Sequence, residues 1–326
     1  MAIAIPQDRP LIAINFCGGT GYNLGREFSA IVAENAMLAS LVSLSFIDTS
    51  TANNSEVNTN ENTMVLGTGK GSGKTRLMNH EAIREQIPRT MLKFKPGIFN
   101  VNVAGASGGS GGTIANEITR FHMENGGNCI NVIVGSRSSG KEIKNTDACF
   151  RTFASLAKKY NTPALVHFRE NKPDITRSAI NRNIMNNLLL LCVLLSGKDD
   201  KMDETDIHHL LHYTKVTPFN ANVVGFDLFL NDVSLEAHEQ LYTVASLALP
   251  DVNTDVNPKP EYQVAGYLKD DLKDLFKDTK CMHWCVIGNS FGPMMRQLDE
   301  AVKDMDRQAA AHRADDFADA DTDFIG

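Results

Sequence analysis

Residues 105–113 read GASGGSGGT, which places five glycines and two serines in nine positions. This loop follows an apolar run at residues 99–104, typical of a buried strand, and precedes a helical pattern at 114–123. Glycines leave backbone N–H groups open to a bulky anion, and the serine and threonine hydroxyls add donors. The loop therefore predicts an anion site at a helix N-terminus, although a flexible turn would have the same composition.

Two more glycine-rich loops lie upstream. The first, FCGGTGYN at residues 16–23, and the second, GTGKGSGKT at 67–75, each follow an apolar run. Both miss a standard nucleotide motif by one residue, because Leu24 replaces the third Rossmann glycine and Thr68 replaces the first P-loop glycine. Asp48 would be the ribose ligand of a Rossmann site, but it does not repair that motif. Three cations beside the second loop can neutralise phosphate charge: Lys70, Lys74 and Arg76.

The apolar runs alternate with helical stretches, which predicts a parallel sheet covered by helices, with the three loops at its ligand-binding carboxyl edge. The predicted strands are residues 11–16, 41–47, 64–66, 99–104, 130–134 and 164–168. A helical pattern at 175–195 is apolar on every side, so we expect it to be buried between two bodies. Beyond it we expect a smaller α/β domain, with strands at 226–230, 262–267 and 283–287 and helices at 234–249 and from about 292.

Composition excludes several classes of protein. The 326 residues are 42% apolar, which excludes a disordered chain, and 32 basic against 39 acidic residues give a net charge of −7. That charge argues against direct binding of nucleic acid or an anionic membrane. The longest apolar run, at 188–195, is far short of the roughly 20 residues that span a bilayer. Six scattered cysteines without C-x-x-C spacing, and no evident secretory signal, predict a cytoplasmic protein.

Taken together, the loops resemble those of the tubulin/FtsZ superfamily. Residues 105–113 resemble its signature loop, 16–23 its first nucleotide loop and 71–73 its γ-phosphate loop. A later segment at 202–207, MDETDI, is similar to the synergy loop of the bacteriophage branch. The resemblance extends over nearly the whole chain. It implies a tubulin/FtsZ-like α/β fold with a GTP-binding domain at 1–174, a central helix at 175–200, a C-terminal activation domain at 201–304, and the end of a helix plus an acidic tail at 305–326.

The resemblance also implies which residues contact nucleotide. The implied phosphate contacts are Gly18, Gly19 and Thr20 for the α- and β-phosphates, Gly71, Ser72, Gly73 and Lys74 for the γ-phosphate, and the main-chain amides of Ser107, Gly108, Gly109, Ser110, Gly111 and Gly112. Asn23 would contact the base or ribose, Glu142 or Asn145 the ribose, and Asn181 the guanine. Mg²⁺ would lie on the β- and γ-phosphates, because phosphoryl transfer needs their charge offset.

The implied catalytic carboxylates are Asp203 and Asp206. If Asn181 contacts the base, the central helix carries the chain about 25 to 30 Å away from it, so both aspartates lie too far from their own nucleotide. A carboxylate that orients water must lie within about 3 Å of it, which predicts catalysis across a head-to-tail contact between subunits. The alternative is that Asp203 or Asp206 simply caps the helix at 207–213.

The expected function is therefore a GTPase that polymerises into dynamic filaments, by resemblance a phage spindle protein that positions phage DNA or cargo in a bacterial host. The acidic tail, with five aspartates in 315–323, is expected to dock on a neighbouring subunit unless it is a frayed terminus. One rival is a nucleotide-binding structural filament with little turnover. The other is a Rossmann-type oxidoreductase, which its broken motif disfavours.

Overall fold

The structure, a computed structural model, describes residues 9–53, 61–172, 174–269 and 279–320, with the backbone alone at 309 and 311–320. Its strands are β1 Ile12–Cys17, β2 Val42–Asp48, β3 Thr63–Val65, β4 Phe99–Gly105, β5 Ile130–Ser136, β6 Ala164–Asn171, β7 Val223–Leu230, β8 Gln240–Ala248, β9 Tyr262–Tyr267 and β10 Cys281–Gly288. Its α-helices are α1 Gly18–Glu34, α2 Ala36–Leu41, α3 His80–Lys93, α4 Gly111–Glu124, α5 Gly140–Tyr160, α6 Arg177–Leu195, α7 Glu204–Leu211 and α8 Gly292–Ala320.

The strands of the described residues form one ten-stranded sheet, ordered β3-β2-β1-β4-β5-β6-β7-β10-β8-β9. Strands β1 to β7 run parallel, whereas β10 is antiparallel to both β7 and β8. Central strands such as β1 and β4 are buried along their whole length, as parallel strands covered on both faces must be. One apolar cluster under the sheet takes side chains from α1, α6 and α7, and a second on the other face takes them from α3, α4 and α5. The predicted α/β class is confirmed.

A row of polar side chains fixes the register of the central strands. Asn15, Asn102 and Asn131 are paired across β1, β4 and β5, and their amides form hydrogen bonds of 3.1 and 3.0 Å along the row. Ser45 on β2 continues it with a 2.6 Å bond to Asn15. All four residues are buried. A shift of any strand by one residue would leave these amides unpaired in an apolar core, so the row selects one register.

The central helix α6 begins after Thr176, whose side chain caps it by accepting from the backbone N–H of Ala179. By length and composition alone it is the one described helix that could cross a membrane. In the structure, its stripe of Ile180, Ile184, Leu188, Leu191 and Leu195 is buried in the core. The apolar character of α6 therefore reflects packing within the protein, as the sequence predicts.

A polar cluster joins α6 to β6 and β7, the strands that precede and follow it in the chain. His167 on β6 is 3.1 Å from the carboxylate of Asp227 on β7, and Arg169 donates to the same oxygen at 3.0 Å. From α6, the amide of Asn187 lies 2.9 Å from His167 Nε2, and Asn183 accepts from Arg169 Nε at 3.0 Å. Burial opposes ionisation of Asp227, but His167 and Arg169 outweigh it and lower the pKa of that carboxyl. The cluster holds the helix and the two strands in a fixed relation.

The two expected domains share the sheet, because β6 pairs with β7 at three positions, including Ala164 with Val223. The division into separate units stays a prediction. One element differs from expectation: the helix predicted at 234–249 is wrong, because most of it forms strand β8 between β10 and β9. A strand buried on both faces has a continuous apolar run, and periodicity alone does not distinguish such a run from a buried helix. Of the predicted acidic tail, residues 315–320 continue α8 and 321–326 lie outside the described residues.

Candidate functional site

The loops after β1, β2, β3 and β4 meet at the carboxyl edge of the sheet and enclose a cavity of about 190 Å³. It is lined by Cys17, Gly19, Thr20, Asp48, Ser50, Asn53, Gly71, Ser72, Gly105, Gly108, Gly109, Ser110 and Gly111. Members of all three predicted phosphate loops are therefore brought together around one space. We call this space the carboxyl-edge cavity.

The three loops approach too closely for any residue but glycine at two positions. Gly18 has φ +68°, and a Cβ there would lie 2.6 Å from the Cα of Gly111. A Cβ on Gly109 would lie 2.3 Å from Ser72 Oγ and 2.8 Å from the backbone nitrogen of Thr75. The first loop therefore packs directly on the signature-like loop, and that loop packs on the second. These glycines serve the assembly of the cavity as well as access to its backbone amides.

Hydroxyl groups tie the loops together at the same place. Thr49 Oγ1 and Ser110 Oγ are 2.5 Å apart, and Ser110 donates to Ser72 Oγ at 3.0 Å. The backbone N–H of Gly71 donates to the carbonyl of Thr49 at 2.7 Å. These bonds link the ends of β2 and β4 to the second loop, so the cavity is held in shape by side chains that also carry donors for an anion.

Sequence reasoning missed the role of Asp48 at this cavity. Asp48 ends β2, is 2% exposed, and accepts from Asn53 Nδ2 at 2.6 Å and from the backbone of Thr49 at 2.7 Å. Burial raises the pKa of Asp48, although Asn53 and the amides of Thr49 and Ser50 act against the shift. A buried carboxylate at this position could hold a cation. The sequence signal for Asp48 is its position as an acidic residue at the end of the second strand.

Lys74, Glu142 and Asn145 meet beside the cavity but do not line it. Lys74 Nζ lies 2.7 Å from Glu142, which also accepts from Ser136 at 2.7 Å. Asn145 donates to the carbonyls of Lys74 and Ser107, both at 3.0 Å. The hydrogen bond from Lys74 lowers the pKa of Glu142 most, against a smaller effect of burial. Both predicted ribose residues are thus engaged in holding the second loop against α5.

Four other predicted contacts are placed as follows. Ser107 and Gly73 lie in loops around the cavity without lining it, and Gly112 packs against Arg76 and Ala106 inside α4. Asn23 is exposed on α1 and does not line the cavity.

Asn181 lines a separate groove between α1 and α6. The groove has a volume of about 410 Å³, and Glu27 on α1 faces it together with Ser178 and Arg182 on α6. Asn23 lies one turn before Glu27 on α1, which places it between this groove and the carboxyl-edge cavity. The two predicted base contacts therefore lie on neighbouring elements, although the carboxyl-edge cavity does not include either.

Asp203 and Asp206 lie at the opposite edge of the sheet. Their helix, α7, lines a cavity of about 670 Å³ together with the first residues of strands, among them Phe99 and Ile130. We call it the amino-edge cavity. Strand β4 separates the two edges by seven residues, or about 20 Å. Neither aspartate can therefore reach the carboxyl-edge cavity of its own chain.

Both aspartates also cap α7, as the alternative predicts. Asp203 accepts from the backbone of Thr205 and Asp206, and Asp206 accepts from the backbone of Asp203 at 3.1 Å. The hydroxyl of Tyr262 donates to the other Asp206 oxygen at 3.0 Å. Burial, and then the Asp206 and Asp203 charges, raise the pKa of Tyr262 to about 12. The capping role does not remove the carboxylates from solvent, because Asp203 is exposed and Asp206 half-buried.

No protein-family model matches the chain. A phage tubulin-like protein of Pseudomonas phage phiKZ is 25% identical over 313 residues, which cover 92% of this chain and 91% of that protein. The solved protofilament of TubZ from bacteriophage PhiKZ matches with a TM-score of 0.80 and 26% identity over 93% of both chains. The solved phage tubulin PhuZ with GDP matches with a TM-score of 0.81 and 19% identity, again over 93% of both chains.

These likenesses extend over nearly the whole chain, and they are to phage tubulins of the tubulin/FtsZ superfamily. The resemblance read from the three loops is thereby confirmed. The sequence likeness is to the phage tubulin TubZ, and the fold is also that of the phage tubulin PhuZ.

Proposed function

We propose that this chain binds GTP at the carboxyl-edge cavity, assembles head to tail into filaments, and hydrolyses GTP at the contact between subunits. The observation that carries the proposal is the separation of the site into two halves. The anion-binding loops lie at one edge of the sheet and the acidic pair Asp203 and Asp206 at the other, about 20 Å away. Each half is chemically incomplete, and stacked copies complete it. The solved TubZ protofilament and PhuZ bound to GDP support this assignment.

In this proposal the phosphates lie against main-chain amides of the three loops, from Gly18 to Thr20, from Gly71 to Lys74 and from Ser107 to Gly112. The α4 N-terminus and the hydroxyls of the loops add donors. The base extends along the groove between α1 and α6 toward Asn23 and Asn181, and the ribose lies near Glu142 or Asn145. The first domain, 1–174, and the central helix, 175–200, thus share the nucleotide, and 201–304 supplies the activating carboxylates.

The residues at the carboxyl-edge cavity fit a Mg²⁺ ion. Mg²⁺ takes one or two carboxylates together with substrate phosphates and water, and Asp48 supplies a buried carboxylate beside the hydroxyls of Thr20 and Ser50. No cluster of three or more metal-ligating side chains exists among the described residues, so the phosphates would supply other ligands. When bound, the ion offsets the negative charge that develops on the phosphates.

Asp203 and Asp206 act on the nucleotide of the next subunit by orienting the attacking water. The capping bonds of α7 fix both carboxylates at its start, and the Tyr262 hydroxyl holds Asp206 from one side. A positioned carboxylate of this kind contributes about 10²- to 10⁴-fold to the rate. Filaments would become unstable after hydrolysis, which makes them dynamic.

The cellular role in this proposal is a phage-encoded spindle that positions phage DNA or cargo in the cytoplasm of a bacterial host, with no membrane or direct nucleic-acid contact. The acidic tail at 305–326 docks on a neighbouring subunit. In support, α8 runs antiparallel to α5: Asp299 contacts Arg151, and Asp306 contacts Lys144 near the start of α5. The helix then continues for 14 residues, about 21 Å, past its contact with the start of α5.

One observation favours a second candidate, a nucleotide-binding filament with little turnover. Both oxygens of Asp206 already have hydrogen-bond partners within the chain. A carboxylate occupied in this way can be purely structural.

Phosphate release measured at increasing protein concentration distinguishes the candidates. We expect turnover per molecule to rise steeply with concentration, and Asp206→Asn to lose at least about 100-fold in turnover while it still sediments with GTP. The control Asp200→Asn changes an exposed carboxylate nearby in the chain, whose bond to the backbone of Tyr267 an amide can keep. Turnover that is independent of concentration would contradict the shared site, and sedimentation without turnover would support the structural filament.

A further inference from the structure

The amino-edge cavity is large, and its wall combines apolar with polar side chains. Its walls include the apolar side chains Met91, Leu92, Phe99, Phe121 and Leu211. Cavities of several hundred cubic ångströms with such walls are typical of binding sites rather than of packing defects.

Three histidine side chains lie in its wall, and one of them has a ring nitrogen without a hydrogen-bond partner. His122 on α4 is 5% exposed, and its Nε2 has no hydrogen-bond partner. His208 on α7 stacks on His212, the residue that follows the helix, with ring centroids 4.1 Å apart, and His212 Nδ1 lies 3.2 Å from the carbonyl of His208. Burial lowers the pKa of both His122 and His212 to about 4, so near neutral pH these rings are uncharged and suit an apolar guest.

An apolar protrusion exists at the other edge of the sheet. Leu77 is 85% exposed and Met78 66%, in the short helical turn that follows the second loop. Large apolar side chains this exposed are costly in water and mark contact sites when they are adjacent.

One helix connects the protrusion and the cavity. Met78 precedes the first turn of α3, and Leu92, in its last turn, lines the amino-edge cavity and is 80% exposed. The rise of an α-helix separates the two residues by about 20 Å, which equals the height of the sheet. If a second copy is stacked on the first along the strand direction, the amino-edge cavity of the second copy therefore faces the protrusion of the first.

The charges around the two features are complementary. Lys70 and Lys74 lie in the loop just before the protrusion, with the Lys141 ammonium against the backbone of Gly73. Glu204 lines the amino-edge cavity and Asp203 is beside it at the start of α7, so these two carboxylates outnumber Arg9, a cation in the same wall. Contacts between unlike charges fix the direction in which copies meet.

We infer that Leu77 and Met78 of one copy insert into the amino-edge cavity of the next copy. The occupant is a second copy of this chain, and the contact is heterologous, so it propagates along a filament. The inference rests on the proposed head-to-tail assembly and names the side chains that anchor it. The same docking brings the α7 carboxylates toward the loop at 71–74, which precedes the protrusion in sequence.

Disulfide trapping tests the contact directly. All six native cysteines are buried, so Met78→Cys with Leu92→Cys adds the only exposed thiols among the described residues. The two sites are too far apart for a bond within one chain, because a disulfide needs Cα atoms within about 7 Å. We expect a ladder of covalent multimers on oxidation with GTP. We expect no ladder from either single variant, or from Met78→Cys with Glu85→Cys, whose second thiol lies halfway along α3.

Dimers from a single variant would overturn the inference, because like faces would then meet. A ladder of equal strength from the Glu85→Cys pair would overturn it as random collision. If Met78→Cys with Leu92→Cys sediments normally with GTP but forms no ladder, the docking is overturned and the proposed filament stands. If the wild-type chain does not sediment with GTP, the proposed function fails. The presence or absence of the disulfide ladder then tests the docking by itself.

A charge in the protrusion provides a second measurement. Leu77→Glu with Met78→Glu should raise the critical concentration for sedimentation at least about 10-fold, because two carboxylates would enter an apolar cavity. Binding of a fluorescent GDP analogue should change less than twofold, since neither side chain lines the carboxyl-edge cavity. An unchanged critical concentration would overturn the inference, whereas lost GDP binding would indicate damage to the fold and leave the decision to the disulfide ladder.

Discussion

The carboxyl edge of the sheet presents glycine-rich backbone to its cavity, and the amino edge presents side chains. At the carboxyl edge, glycine loops approach so closely that Gly18 and Gly111 leave no room for a Cβ. At the amino edge, apolar side chains and imidazoles such as His122 enclose a cavity more than three times larger. The first design suits an anion with fixed geometry, and the second suits a protein side chain. Four predictions test how far this difference extends.

The largest effect is expected for Gly18→Ala. A Cβ at φ +68° and 2.6 Å from the Cα of Gly111 forces two loops apart. We expect the free energy of unfolding to fall by about 3 kcal/mol or more, and nucleotide binding to be lost. The control Gly108→Ala changes a glycine in the wall of the neighbouring carboxyl-edge cavity, but its Cβ would have no heavy atom within 4 Å. Denaturant unfolding of both variants measures this, and equal midpoints would show that the backbone packing of the carboxyl edge is not tight.

A slightly smaller effect is expected from acid at the amino edge. Burial lowers the pKa of His122 to about 4 from an ordinary value of 6.5. Between these values the unfolded chain binds a proton that the folded chain does not, so stability falls as the pH falls from 6.5 toward 4. The full penalty is about 3 kcal/mol. The free energy of unfolding, measured at several pH values, should fall less steeply with acid in His122→Leu than in wild type. Parallel curves would contradict the lowered pKa of His122.

The third effect concerns the carboxylate at the carboxyl-edge cavity. We expect Asp48→Asn to reduce the gain in nucleotide affinity on adding Mg²⁺ by about 10-fold, or 1.4 kcal/mol, with little change in EDTA. Titration calorimetry with GTP under both conditions measures this difference. An equal loss of nucleotide affinity with and without Mg²⁺ would mean that Asp48 stabilises the loop and does not bind the ion.

The smallest effect is expected at Lys74, which has φ +61° and a half-exposed ion pair with Glu142. Lys74→Ala removes a pair worth less than about 1 kcal/mol and keeps the backbone strain. Lys74→Gly removes the same pair but relieves the strain, so we expect it to be about 1 kcal/mol more stable than the alanine variant. Thermal unfolding compares the two. Identical transitions would show that the second loop is not strained at this residue.

The sequence predicts the site at the carboxyl edge better than the one at the amino edge, because only the first is built from local motifs. The carboxyl-edge loops were predictable because each is a local pattern of glycines after a strand, and parallel strands bring such loops together. The amino-edge cavity was not, since Arg9, Met91, His122 and His212 are far apart in the chain and share no motif. Strand β8 was missed for a different reason: its apolar run fits a helix or a buried strand equally.

The site residues divide in the same way. Asp48 was available in the sequence as the last residue of a predicted strand, but it was considered only for a motif that the chain lacks. The engagement of Glu142 with Lys74, and of Asp206 with Tyr262, depends on contacts across 68 and 56 residues. No local pattern predicts such contacts, because they are set by the packing of helices on the sheet.

The polar cluster around His167 has a mechanical consequence. Asn183 and Asn187 are one turn apart on α6 and contact neighbouring partners on β6. If the helix slid along its axis by a fraction of a turn, both amides would lose their partners, but a slide of one full turn, about 5.4 Å, would bring Asn183 to the place that Asn187 left. Because Ala179 would then occupy the place of Asn183, only one of the two contacts would form again, so the cluster opposes axial travel of this helix.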